Sequence, residues 1–170
     1  NGGTSKYLIA SGSSNAIYKG DVVYIIGTGY IDVSGATTTA NIGVFNGCFY
    51  NDPTTQKPTW KNYYPGSITP TVGNIEAFVY DDPNRLFEVQ SAGTLTQAAV
   101  GDNADQVYTA GSTINGASKS ELAGSATGSS AQFRIIRISE DPSNSDIASA
   151  NANWIVRFNE HVYYANTAGV

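Results

Sequence analysis

Four groups of residues in this chain have the types and spacing that chemistry requires. Asp81 and Asp82 stand side by side ahead of Pro83 in VYDDPNRLFEVQ, with Arg85 close behind. Adjacent carboxylates can share a proton or hold a metal ion, and a nearby arginine favours their ionised forms. Cys48 and His161 are the sole cysteine and the sole histidine. Brought together, they would make a thiolate–imidazole nucleophile. The acidic loops DNADQ (102–106) and DPSNSD (141–146) offer oxygen ligands of the kind calcium takes. PTWKNYYPG gathers Trp60, Tyr63 and Tyr64, aromatics that can anchor a protein interface or stack on a sugar ring.

The first three groups have simpler readings. Asp-Pro occurs three times, in FYNDP, VYDDP and ISEDP, and each directly follows an apolar run. Proline drives the preceding residue out of the helical region, and aspartate can bond its own backbone two residues on. Asp52, Asp82 and Asp141 therefore read as strand terminators that begin turns, and Asp81 and Asp82 as turn residues without catalytic duty. DDPN then reads as a hairpin loop between EAFVY and RLFEV. Cys48, set between Gly47 and Phe49 in an apolar strand, reads as a buried, inert thiol. One histidine excludes the usual multi-histidine zinc sites, and one thiol leaves neither a disulfide nor a structural zinc set. The acidic loops lack the alternating ligands, central glycine and distal glutamate of an EF-hand, and read as surface turns. No Walker motif, G-x-G-x-x-G or G-x-S-x-G elbow occurs. No catalytic residue, metal or cofactor is expected. For the aromatic stretch three readings stay open: a core Trp60 with both tyrosines covering a barrel edge, a protein interface, or a sugar platform.

The elements that must position these residues are short and extended. DVVYIIG and YIDV flank a Gly-Thr-Gly turn. NIGVFNGCFY is a longer strand whose glycines suggest a bulge or a close backbone approach. NIEAFVY, RLFEVQ, AQFRIIRIS and NWIVRFNEHVYY follow, with DQVYTAG a weaker candidate. Seven or more short strands broken by turn signals predict an all-β fold, a single compact antiparallel barrel or sandwich. SKSELAG and SNSDIASANA are candidates for single helical turns. Residues 109–130 and 143–153 are rich in Gly, Ser, Ala and Asn and read as long surface loops. Residues 1–16 read as an N-terminal arm ahead of a β domain over 17–170. Tyr7, Leu8 and Ile9 form its one apolar cluster, which calls for a surface to bury against.

Composition narrows the function classes. The 170 residues, 41% of them hydrophobic, suffice for a domain with its own core. Eighteen glycines, eleven tyrosines and no methionine suit strands joined by tight turns. The net charge is −5 and no window clusters Lys and Arg, which disfavours nucleic-acid binding. No apolar run approaches the roughly 20 residues of a membrane span. The first residues lack the basic start and long apolar stretch of a signal peptide, and the chain has no N-x-Ser/Thr sequon.

Taken in order, YKGDVVYI, NIGVFNGCFY, VYDDPNRLFEVQ, GDNADQVYTAGS, GASKSELAG, FRIIRI and VRFNEHVYY resemble small capsid decoration, or cement, proteins of tailed bacteriophages. The likeness runs from about Tyr18 to Tyr164 and rests on the pattern as a whole. It implies an all-β virion protein without catalytic residues, made in the host cytoplasm and placed on the capsid exterior. It also implies a homotrimer over local symmetry axes that bridges neighbouring major capsid subunits against internal DNA pressure. The segment NGGTSKYLIA has no match in that pattern, so its role follows from physics alone. The expected partner-binding residues are Tyr7, Leu8, Ile9, Trp60, Tyr63 and Tyr64. A carbohydrate- or receptor-binding module of a fibre or head appendage, using Trp60, Tyr63 and Tyr64, is the alternative. A hydrolase using Cys48 or His161 is the third reading.

Overall fold

The computed structural model describes residues 3–35 and 41–164. The expected arm and domain also included 1–2, 36–40 and 165–170, which lie outside the described residues. The fold is all-β, and every ladder between its strands is antiparallel. The first sheet is built on β4 (Asn41–Asn51), an eleven-residue strand. One edge of β4 carries β6 (Ile75–Tyr80), and β1 (Ser5–Ile9) lies beyond β6. The other edge is shared: its first half pairs with β2 (Val22–Ile25), followed outward by β3 (Ile31–Val33), and its second half pairs with β5 (Pro58–Lys61). The turn between β2 and β3 closes through Gly29, whose N–H donates to Ile26 O. β1 and β3, the ends of the pairing order, approach each other without pairing, so the sheet curls over its own core.

The expected bulge in β4 is present. Its register slips between Phe45 and Gly47 opposite β6. The glycines around it serve close approach. A Cβ on Gly43 would strike the carbonyl of Tyr80, and one on Gly47 would stand 2.6 Å from the Trp60 ring. The bulge bends the strand so that β4 contributes to two cores. Ile42, Phe45, Cys48 and Tyr50 join Ile9, Ile75, Ala77 and Val79 in the first. Val44 turns the other way and packs against the second.

The second core lies on a four-stranded sheet ordered β7 (Phe87–Gln90), β12 (Asn153–Phe158), β11 (Phe133–Ile138) and β8 (Asn103–Ala104). Period-2 alternation buries Trp154, Val156 and Phe158 from β12 and Phe133 and Ile135 from β11. A small ladder of β9 (Gln106–Val107) with β10 (Glu121–Leu122) stands beside it. Fully burying one such aliphatic or aromatic side chain contributes about 1.5–3 kcal/mol, so both clusters are needed to offset chain entropy.

Four sequence expectations need correction. DDPN does not close a hairpin: β6 and β7 belong to different sheets, so this turn carries the chain from one sheet to the next. The local pattern marks where a strand ends; distant partners decide which sheet receives the following strand. SKSELAG holds the short strand β10, and SNSDIASANA forms turns rather than helix. The one helical element among the described residues is a 3-10 turn at Gln97–Ala99. Residues after Phe158 leave the strand expected to run to Tyr164.

The fourth correction concerns residues 3–16. They are not a detached arm. Ser5–Ile9 pair residue by residue with Val79–Ile75, and Ile9 is buried in the first core. Downstream, Gly12 N–H donates to Ile68 O, Ser67 N–H to Ser13 O, and Tyr64 Oη to Ser13 O at 2.9 Å. A segment of polar residues around three apolar ones looks weak in sequence. The edge of β6 supplies its pairing, and the first core takes Ile9.

Candidate functional site

The three Asp-Pro sequences adopt one geometry. Asp52 Oδ1 accepts the N–H groups of Thr54 and Thr55, Asp82 Oδ1 accepts Asn84 N–H at 2.9 Å, and Asp141 Oδ1 accepts Ser143 N–H at 2.9 Å. In each, the aspartate carbonyl then accepts an N–H three or four residues on. These backbone donors are the first cause holding all three carboxyls below the usual carboxylate range. Such carboxylates are occupied by their own turns. Asp105, in the other acidic loop, accepts Gln132 N–H at 3.1 Å. Among the described residues, no three His, Cys, Asp or Glu side chains converge.

Asp81 departs from its neighbour. Its Oδ2 accepts the Tyr7 hydroxyl at 2.8 Å, and Tyr7 Oη lies 2.9 Å from Tyr163 Oη. Asp81 thus ties the first strand to the segment after the last one rather than shaping the turn. Burial first, then the Tyr163 and Asp81 contacts, push the Tyr7 hydroxyl pKa upward.

Cys48 and His161 do not meet. Cys48 is fully buried, its Sγ lies 3.6 Å from Tyr63 O, and burial pushes its thiol up to about 12. At neutral pH it is a protonated, inert side chain. His161 is also fully buried, with Nε2 2.9 Å from Ile42 O and Nδ1 accepting Tyr163 N–H at 3.1 Å. That pair of contacts sets the tautomer: Nε2 carries the proton and donates. Burial lowers the imidazole pKa. Ile42 and Cys48 are six positions apart on one strand, roughly 20 Å at 3.3 Å per residue. A thiolate–imidazole pair is therefore not formed.

The aromatic stretch divides. Tyr64 is fully buried, bonded through its backbone to Ile17 and through its hydroxyl to Ser13 O. Tyr63 is half-buried and stacks on Tyr18 with ring centroids 5.6 Å apart and an interplanar angle of 7°. Trp60 is 51% exposed. It is no core residue, because β5 lies at the rim of the sheet and the Trp60 position points away from the first core. Register places Trp60 opposite Phe49, itself 37% exposed, and Gly47 opposite Phe78. The indole covers Gly47 and meets the Phe78 ring at 5.1 Å between centroids. A missing Cβ lets a cross-strand aromatic lie down over the backbone, which fixes the ring without hiding it.

Of the six expected contact residues, Trp60 and Leu8 share the outward face of the first sheet, Leu8 lying opposite Glu76. Ile9 and Tyr64 are core residues and cannot bind a partner without unfolding. Tyr7 is held by Asp81, and Tyr63 by Tyr18. Phe49 and Phe78 belong to the exposed patch and were not singled out from sequence. Their signal was the alternation of β4 and β6, which places them opposite buried Cys48, Tyr50, Ala77 and Val79.

No family model matches this chain, and neither do any of the curated proteins or solved structures it was compared with.

Proposed function

We propose that this chain is a tailed-phage virion protein that binds the capsid exterior and cements neighbouring major capsid subunits, acting as a homotrimer. The capsid assignment comes from the ordered sequence likeness between Tyr18 and Tyr164. The structural observation that supports it is the Trp60–Phe49–Phe78 patch. Aromatic side chains left on a rigid sheet face are a protein-contact feature rather than a catalytic one. Half of an indole and a third of a phenyl ring amount to roughly 200 Å² of apolar surface, or about 5 kcal/mol on full burial. Association alone costs an estimated 4–15 kcal/mol. One patch would bind weakly; three patches on a trimer would bind together through effective concentration.

The half-exposed indole also favours the second reading, a sugar platform, since stacking needs one open aromatic face. One experiment separates them. Trp60→Ala is made in a chain whose fold does not use that ring in a core. Co-sedimentation with capsids lacking the protein is measured beside a glycan array. Loss of particle retention with no glycan signal supports cementing. Glycan binding that Trp60→Ala abolishes supports the platform. Full retention of the variant on particles would remove Trp60 from the interface and with it the structural support for this proposal.

A further inference from the structure

Between the two sheets lies a cleft of about 500 Å³, distinct from the Trp60 patch. Its size is that of a ligand site. One wall is β7, the end strand of the second sheet. Facing it are Val22, Val44 and Tyr80 of the first. Phe87 and Val89 of β7 are only half-buried there, and Leu86 at the mouth is 52% exposed.

The backbone of β7 is half used. Ser91 N–H donates to Ala152 O, so Ser91 and Ala152 form a hydrogen-bonded pair, and antiparallel alternation makes Val89–Trp154 and Phe87–Val156 the next such pairs. The N–H and C=O groups of Glu88 and Gln90 must then point to the opposite edge. Ala92, next in that series, finds its partner: its N–H donates to Leu122 O, and Ser91 bridges Leu122 in parallel. Leu122 pairs on its other side with Gln106, so β10 lies between β9 and the end of β7. Ser118, Ser120 and Glu121 become the far rim of the cleft. Along Phe87–Val89, among the described residues, the next strand position is vacant. From that side Leu122 already reaches β7: its parallel bridge to Ser91, with Ala92 N–H on Leu122 O, implies Leu122 N–H on Gln90 O, and among the described residues no other strand pairs with this edge.

Two side chains add to the backbone argument. Gln106 lines the cleft at 3% exposure, and its Oε1 has no hydrogen-bond donor among the described residues. Its amide cannot be turned round to find one, because Nε2 already donates to the carbonyls of Ser34 and Gly35. Lys19 lines the same cleft, exposed and without a carboxylate partner among the described residues.

We propose that this cleft receives an extended segment of a partner polypeptide, which adds to β7 as a further strand. The segment carries apolar side chains at alternate positions and an acidic residue at the Lys19 end. The alternate apolar residues enter between Phe87 and Val89 on one side and Val22 and Val44 on the other. Backbone groups of the segment pair with the N–H and C=O of Glu88 and the N–H of Gln90. This is strand addition, in which main-chain bonds give affinity and side-chain pockets give selectivity. A compact apolar ligand would fill the volume but would leave the Glu88 N–H and C=O and the Gln90 N–H open. The proposal does not rest on the capsid reading.

The test uses the whole protein and the capped heptapeptide Thr-Val-Thr-Val-Thr-Val-Asp. Two N-methylated versions are made, one methylated at the valines and one at the threonines. A strand adding to one edge uses alternate N–H groups only. One version should therefore bind like the parent, and the other at least about tenfold more weakly. Amide hydrogen exchange followed by NMR should show new protection at Glu88 and Gln90. Gln90→Pro removes an outward N–H without touching the β12 ladder, and should weaken binding about tenfold. If that variant does not fold, Leu86→Arg, at the exposed mouth, replaces it with the same expected loss. No binding of the parent peptide up to millimolar concentration would overturn the proposal. So would equal binding of both methylated versions, or binding that leaves Glu88 and Gln90 unprotected.

Discussion

Replacing Ile9 with alanine separates an arm from a strand. Ile9 is 1% exposed, paired with Ile75 and packed in the first core. The change removes three carbons, about 2.4 kcal/mol at 0.8 per methylene. A cavity term of about 24 cal/mol per Å³ adds roughly a further 1 kcal/mol for a partly collapsed site. We expect a loss of about 3–4 kcal/mol, a large share of the 5–15 kcal/mol that holds a typical domain. With a urea m-value of about 2 kcal/mol per molar, the unfolding midpoint falls by roughly 1.5–2 M. Leu8→Ala is the control. Leu8 lies opposite Glu76 on the outward face and is half-buried. Its midpoint should fall by less than about 0.5 M, since only part of its burial is lost. Equilibrium urea unfolding followed by far-UV circular dichroism measures both. If residues 3–10 were an arm, neither change would move the midpoint. An Ile9→Ala midpoint within error of the parent would refute the strand assignment of the N-terminal segment. Removal of residues 1–10 goes further: it strips β6 of its neighbour and opens a sheet edge, so the truncated chain should aggregate rather than persist as a folded, weakly binding domain.

Two other perturbations follow from the tie between the chain ends. His161 has a lowered pKa in the folded state, with burial the main cause and Asp81 and Asp82 opposing it. The unfolded chain then takes up a proton first, so the contribution is whole above about pH 6.5 and is lost as pH falls through and below that value. His161→Asn should flatten the dependence of the urea midpoint between pH 5 and 7; an unchanged slope would assign it to other groups. Asp81→Asn should cost about 1 kcal/mol because the Tyr7 hydroxyl loses a charged acceptor. A double-mutant cycle with Tyr7→Phe should return a coupling of similar size, and a coupling of zero would mean that the contact stabilises nothing.

Strand positions were legible because two local signals coincide: period-2 burial and turn residues that stop it. The alternation in NWIVRF and IEAFVY leaves little freedom over which face is buried. Pairing was not legible, because the partner of a strand is chosen by residues far along the chain. β6 and β7 flank one tight turn, yet β6 joins β1 and β4 while β7 joins β12. The same blindness made an arm of Ser5–Ile9. Three apolar residues cannot form a core alone, and nothing nearby announces the open edge more than sixty residues later. Trp60 is the corresponding case at the candidate site. Its exposure depends on β5 lying at a rim, and its fixed pose depends on Gly47, thirteen positions earlier, lacking a Cβ.

Asp81 and Asp82 condense the difference. They are identical, adjacent and followed by the same proline. Asp82 bonds Asn84 two residues away, an interaction available in any chain with this local sequence, and two other Asp-Pro sites repeat it. Asp81 bonds Tyr7, a contact that exists only because β1 lies against β6. The short-range aspartate is readable because its partner and its own backbone arrive together. The long-range one requires the sheet to be assembled first, and once assembled it holds Tyr7, whose hydroxyl also meets that of Tyr163. An acid pair that resembles a site in sequence thus resolves into one turn and one tie. The features to which we assign partners, the outward aromatics of the first sheet and the Phe87–Val89 edge of β7, are made of residues that no motif marks.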